Sequence, residues 1–246
     1  MEIKTIEQSG MTFQLFERQQ TAILKNVSNK DYLEFIELPT EIKHNDITYT
    51  ITEIGEECFY ECFNLEGVIL PKKLLRISDY AFANTNIKQI TLPYTIEVIG
   101  FRSFCSTPLE HIQLPSNLIT LDEDVFGDCQ KLKKVEVGQK LETIGSFCFA
   151  NCIALEEINI PISLKSIGSH AFEHCEKLRD VEIPNSITYI GERAFFDCTS
   201  IEKINLPKVP KLAKHIFTGC YNLKQLNNES NKPILDLFLH HHYSNE

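Results

Sequence analysis

A single block of sequence recurs along the chain, and nothing else restricts its fold as tightly. Phe stands at positions 59, 82, 104, 126, 149, 172, 195 and 217, always 22 or 23 residues apart. Three residues after each Phe comes Cys or Thr, and then a Leu-x-x-Ile-x-Leu-Pro run. Two more apolar columns keep the same beat, one from Leu65 to Leu223 and one from Val68 to Leu226. Repetition at this period marks architectures in which each unit leaves an apolar face open and stacking closes it.

The physics inside one block is legible. In Leu155-Glu-Glu-Ile158-Asn-Ile160-Pro161, apolar and polar residues alternate with the period of a half-buried strand. Proline ends that strand at Pro71, Pro93, Pro115, Pro161, Pro184 and Pro207, because it has no N–H for a ladder. The chain returns through a second apolar stretch such as Leu164-Lys-Ser-Ile167. It turns at Gly55, Gly100, Gly145, Gly168 and Gly191, where tolerance of positive φ is useful. The small-Phe-x-x-Cys segment reads as one short helical turn that packs its Phe inward.

The block Ile167-Gly-Ser-His-Ala-Phe172-Glu-His-Cys175-Glu-Lys-Leu178-Arg-Asp-Val181-Glu-Ile183-Pro184 closely resembles the BspA-type leucine-rich repeat. The commoner leucine-rich repeats carry an Asn ladder that is missing here. The resemblance covers residues 51 to 227. It implies an α/β repeat solenoid, right-handed, of about eight 22–23-residue repeats, strand-rich with short helical turns. It also implies a protein-binding role and an association with cell surfaces. Residues 1–50 carry short strand-like runs and a hairpin signal at Asn45-Asp46, and are expected to form a β-rich cap over the first repeat. Residues 228–246 read as a linker and an apolar tail, Pro233–Leu239, that caps the far end or serves as a binding peptide.

The nine cysteines fall mostly inside the repeat. Cys62, Cys129, Cys152, Cys175, Cys198 and Cys220 share one column with Thr85 and Thr107, and Cys58 and Cys148 share another with Ala81, Ala171 and Ala194. Alternation with Thr and Ala is what packing residues show, so no disulfide or zinc framework is expected. His170-Ala-Phe-Glu173-His174 matches H-x-x-E-H, in which two His and a Glu meet on one helix face around zinc. The equivalent positions of other blocks hold unrelated residues, and no third ligand follows, so the match is read as chance. His240–His242 lie on a tail without preorganisation. No phosphate loop, dinucleotide fingerprint or nucleophile elbow is present. No catalytic residue, cofactor or metal is therefore expected, and the chain is read as no enzyme.

A formal net charge of −10 speaks against nucleic-acid binding, and no apolar run is long enough for a membrane span. The start of the chain lacks a secretory signal, which points to a cytoplasmic location, with the cell surface as the alternative. On the strand face, the residue after the Leu alternates in sign: Glu66, Lys88, Glu110, Lys133, Glu156, Arg179, Glu202 and Lys224. Such a ladder neutralises itself. The two outward columns beside it are the candidate binding face, centred on Lys134, Glu136, Glu157, Asn159, Asp180, Glu182, Lys203 and Asn205. Its acidic bias favours a basic partner. The functional expectation is an interaction scaffold that binds another protein, with a surface adhesin as the alternative and weak self-association through an open strand edge.

Overall fold

A computed structural model describes residues 4–207 and 211–227. The chain begins with three strands, β1 (Lys4–Gln8), β2 (Met11–Phe16) and β3 (Thr21–Val27), paired antiparallel in order. β4 (Phe35–Glu37), β5 (Glu41–His44) and β6 (Ile47–Ile54) follow. β5 and β6 form a hairpin, and β3 pairs parallel with β6. β6 then pairs parallel with Arg76–Ile77, the first return strand, so the N-terminal sheet runs without a break into the repeats.

From there the chain coils as a strand-rich solenoid of about seven turns of about 23 residues. Each coil has three sides. The first carries strands of two or three residues, beginning with β7 (Gly67–Ile69), which pairs parallel with β4. The second carries the two-residue return strands, in register from Thr120–Leu121 to Lys211–Leu212. The third carries the Phe.

Three expectations are corrected here. The α/β class does not hold: the only helix among the described residues is a three-residue 3-10 turn, Lys30–Tyr32, in the N-terminal region. Eight copies of the Phe motif bound about seven complete coils rather than eight. The Phe segments are not helical turns either. In the first, Cys58, Tyr60 and Cys62 donate N–H bonds within the turn, to Gly55, Glu57 and Phe59. The intervening Glu57, Phe59 and Glu61 donate to the carbonyls of Asp79, Ala81 and Ala83 in the next coil, and the pattern repeats down the molecule. This alternation requires left-handed backbone at every fourth residue, as at Glu57 (φ 54°) and Glu61 (φ 58°). A non-glycine residue held there is strained by about 1–2 kcal/mol, and the inter-coil hydrogen bonds hold it in place. Unlike a β-ladder, all these bonds point the same way along the axis. In the first coil, Lys30 Nζ also donates to Glu57 O at 3.0 Å, beside the Tyr60 N–H that this carbonyl already accepts.

The glycine column has a different cause from the one expected. Gly145, Gly168 and Gly191 do not have positive φ; a Cβ on Gly168 would sit 2.5 Å from Ser146 N and 2.6 Å from Gly145 C of the preceding coil. Close backbone approach excludes a side chain there.

The core is a spine of Phe rings. From Phe59 to Phe217, neighbours stack with centroids 5.1–5.7 Å apart and planes within 19°. The distances suit offset stacking, each pair contributing about 0.5–1.5 kcal/mol beyond burial. Beside it runs the Cys column. Cys129, Cys152, Cys175, Cys198 and Cys220 each direct Sγ at the carbonyl of a Phe one coil back, at 3.0–3.2 Å. Thr85 and Thr107 instead bond the Phe carbonyl of their own coil, at 2.9 Å. All nine thiols are free, and eight are buried. Burial pushes Cys62 up to about 11 and Cys129 and Cys220 up to about 12. The thiolate needed for metal binding or redox chemistry is thus suppressed.

Residues 228–246, with the apolar tail and the His240–His242 run, lie outside the described residues.

Candidate binding face

The first side of the solenoid holds the candidate residues. Register places His111, Lys134 and Glu157 on successive strands, with Gln113 beside Glu136. Farther along, Asp180 pairs with Lys203 and Glu182 with Asn205. Each strand buries its central residue, Val135, Ile158, Val181 or Ile204, and turns its neighbours outward, so all eight candidate side chains are exposed. Six of them, Lys134, Glu136, Glu157, Asn159, Asp180 and Glu182, line one open groove. Lys203 and Asn205 lie on the next rung outside it.

The eight are not equivalent. Lys134 Nζ lies 3.4 Å from Glu136 Oε1 and 3.8 Å from Glu157 Oε2, so its charge is largely spent inside the face. Asn159 is held by the scaffold: its Oδ1 accepts from Val137 N at 2.8 Å and its Nδ2 donates to Val137 O at 3.1 Å. It continues the ladder where the strand Glu157–Ile158 ends. Asp180 and Glu182 have no ion-pair partner within 4 Å among the described residues. They put two carboxylates without an ion pair on one three-residue strand, with Lys203 on the rung opposite Asp180.

The alternating ladder forms in part. Lys88–Glu66, Lys133–Glu110 and Lys224–Glu202 pair at 3.0, 3.0 and 3.5 Å. The Lys133 ammonium holds Glu110 below the usual carboxylate range. These are exposed pairs, screened by solvent, and add little to stability.

The other half of the same face is apolar, and two of its residues, Phe35 and Tyr94, lie outside the repeat columns. Phe35 of β4 is opposite Gly67 of β7, and its ring comes 3.0 Å from where a Gly67 Cβ would be; only a glycine leaves it room. Phe35, Ile69 and Tyr94 are 59%, 49% and 77% exposed and line one cleft with Ile90. The rung between them is irregular. Gln89–Thr91 form no strand and no backbone hydrogen bond to either neighbouring rung, and Ile90 and Leu92 are half-exposed where equivalents such as Ile112 and Leu114 are buried. The missing side chain at Gly67 and the outward Ile69 were the available signals for this cleft. Phe35 gave none, because its placement depends on β4 joining the ladder.

His170 and His174 sit at the left-handed turn positions, on the side that carries the Phe spine. His170 Nδ1 is 2.8 Å from Glu173 Oε2, and its ring stacks on Phe147 at 4.6 Å. His174 Nδ1 lies 3.5 Å from Asp197 Oδ2 of the next coil. No three metal-ligating side chains gather anywhere among the described residues. No helix among them is long and apolar enough to cross a membrane.

Comparison with known proteins agrees with this geometry. The family model described as the BspA type leucine-rich repeat region matches residues 25–153 and 142–236, in six copies. Curated protein sequences return no match. Among solved structures, a leucine-rich repeat protein from Bacteroides ovatus is 24% identical with a TM-score of 0.64, over 90% of this chain and 70% of its own. The pneumococcal vaccine antigen PcpA is 19% identical with a TM-score of 0.67, over 92% and 71%. A leucine-rich cell surface protein from Faecalibacterium prausnitzii is 15% identical with a TM-score of 0.51, over 96% and 97%. At these identities the likeness is one of fold. The expected cytoplasmic location finds no support among these neighbours.

Proposed function

The chain belongs to the BspA-type leucine-rich repeat family, and on that premise we propose that it is a non-enzymatic protein-binding module acting at a cell surface. The observation that carries the reading is the candidate face itself. It is an extended strand surface with an apolar cleft at one end and the unpaired Asp180 and Glu182 toward the other. Apolar anchors beside charged residues are what protein interfaces use for affinity and for orientation. Residues 51–227 supply most of that surface, and residues 1–50 act as the cap that keeps the first coil closed and add Phe35 to the cleft. The surface location is supported by the description of the Faecalibacterium neighbour. The free thiols do not oppose it, since eight of the nine are buried from oxidants.

Two experiments test this. Protease shaving of intact source cells, read against a cytosolic control, removes the protein if it is at the surface; protection equal to the control refutes that location. Charge reversal by Asp180→Lys with Glu182→Lys weakens capture of a bound protein partner. Unchanged capture refutes this face as the binding site.

A further inference from the structure

The geometry points to a partner of definite chemistry: an extended polypeptide segment lying along the solenoid axis, with aromatic or aliphatic side chains in the Phe35–Ile69–Tyr94 cleft and Lys or Arg side chains on Glu157, Asp180 and Glu182. This deepens the protein-binding reading and rests on it. Three observations favour this occupant. The cleft is apolar and lies where the ladder is interrupted, so Ile90 and Leu92 add apolar surface that other coils bury. The carboxylates sit on the same face, and Ile90, Thr91 and Tyr94 line both the cleft and the groove that holds Glu157, Asp180 and Glu182, so one straight segment reaches both regions. The local charge is uneven, since Lys134 is engaged by Glu136 and Glu157 while Asp180 and Glu182 are left for a partner's cations.

The spacing is set by the fold. From Ile69 to Glu157 the face advances four rungs, Thr91, Gln113, Glu136 and the strand of Glu157. At about 4.8 Å per rung this is roughly 19 Å, or about six residues of extended chain, and Asp180 and Glu182 lie one rung farther, within reach of a long basic side chain. The recognised segment thus has two apolar residues separated by about six positions from a pair of basic ones. Either chain direction satisfies this, because the contacts are made by side chains.

The test uses the full chain and fluorescein-labelled synthetic 12-residue peptides, read by fluorescence polarisation. The probes are a Phe-Leu pair placed six residues from a Lys-Arg pair in both orders, the same composition with the pairs adjacent, and single-pair peptides with only one feature. The spaced peptide is expected to bind at least about tenfold more tightly than either single-pair peptide, a ring's burial accounting for about that factor. Tyr94→Ser with Phe35→Ser, both at exposed positions, lowers that affinity about tenfold. Asp180→Lys with Glu182→Lys lowers that affinity and removes the weakening of binding by salt, because two attractive charges become repulsive. Equal binding of spaced and adjacent peptides, or an unchanged affinity in the Tyr94/Phe35 variant, overturns the proposal. If no peptide binds while the Asp180/Glu182 reversal still weakens capture of an intact protein, the segment proposal fails and the protein-binding reading stands. If the reversal changes neither, both fail.

Discussion

Ser103 occupies the small position before the core Phe, where other coils place Cys58, Ala81, Cys148, Ala171 and Ala194. It is fully buried, and its Oγ has no hydrogen-bond partner. A buried hydroxyl without a partner costs about 1–3 kcal/mol in desolvation, because the unfolded chain hydrates it and the folded chain does not. The methyl that replaces it in Ser103→Ala fits, as Ala81, Ala171 and Ala194 are equally buried at equivalent sites. Ser103→Ala should therefore stabilise the protein by about 1–2 kcal/mol, against the usual direction of point mutations. For a chain of this length that is a rise in Tm of about 2–4 °C. The reciprocal change, Ala171→Ser, creates the same orphan in a different coil and should lower stability by a similar amount. Guanidinium titration followed by circular dichroism reads both, through the midpoint at constant slope. A fall or no change for Ser103→Ala, or a neutral Ala171→Ser, would refute the argument that this hydroxyl is unsatisfied.

Phe149 is fully buried between Phe126 and Phe172, at 5.5 and 5.3 Å. Phe149→Ala should cost about 3–5 kcal/mol in denaturant unfolding, and Phe149→Leu about 1–3 kcal/mol, since it refills the volume but loses both ring contacts. A cost below about 1 kcal/mol for the alanine would show that the spine does not hold the coils together. Alkaline pH should unfold the chain. The eight buried thiols keep their protons well above the ordinary 9.0, whereas the unfolded chain gives them up near that pH. Their stabilisation is complete below about pH 9 and falls as pH rises toward the folded values, by up to about 1.4 kcal/mol per thiol per pH unit. Stability measured in reductant from pH 8 to pH 10.5 checks this, and a flat profile contradicts it. Gly168→Ala places a methyl against the backbone of Ser146 and Gly145, and should lose about 1–3 kcal/mol. If it is tolerated, close approach is not why this column is glycine.

The period, the Phe spine and the inward columns are readable from sequence, because burial demands the same residue type at the same place in every coil. The exposure of Lys134, Glu136, Glu157, Asp180 and Glu182 followed from strand alternation. What each does on the face did not. Whether Lys134 is free depends on side-chain distances across rungs, and Asn159 proved to be tied to Val137. The left-handed positions were legible only in part: the second column, with Asn84, Asp128, Asn151, Asp197 and Gly219, carries residue types that tolerate such backbone, and the first carries no signal. Glu57, Tyr80, Arg102 and His170 share no chemistry, since backbone bonds between coils impose the conformation whatever the side chain.

By itself, then, the sequence determined that the chain must stack in coils of about 23 residues around a Phe core, because no single block buries its own apolar face. Tertiary structure alone decided that the Phe segments are hydrogen-bonded turns rather than helix, and that glycine is required by a neighbouring backbone rather than by φ. It also decided that Phe35, Ile69 and Tyr94 meet in one cleft. Each of these depends on where a neighbouring coil places its atoms, and a one-dimensional pattern records spacing along the chain, not contact across it.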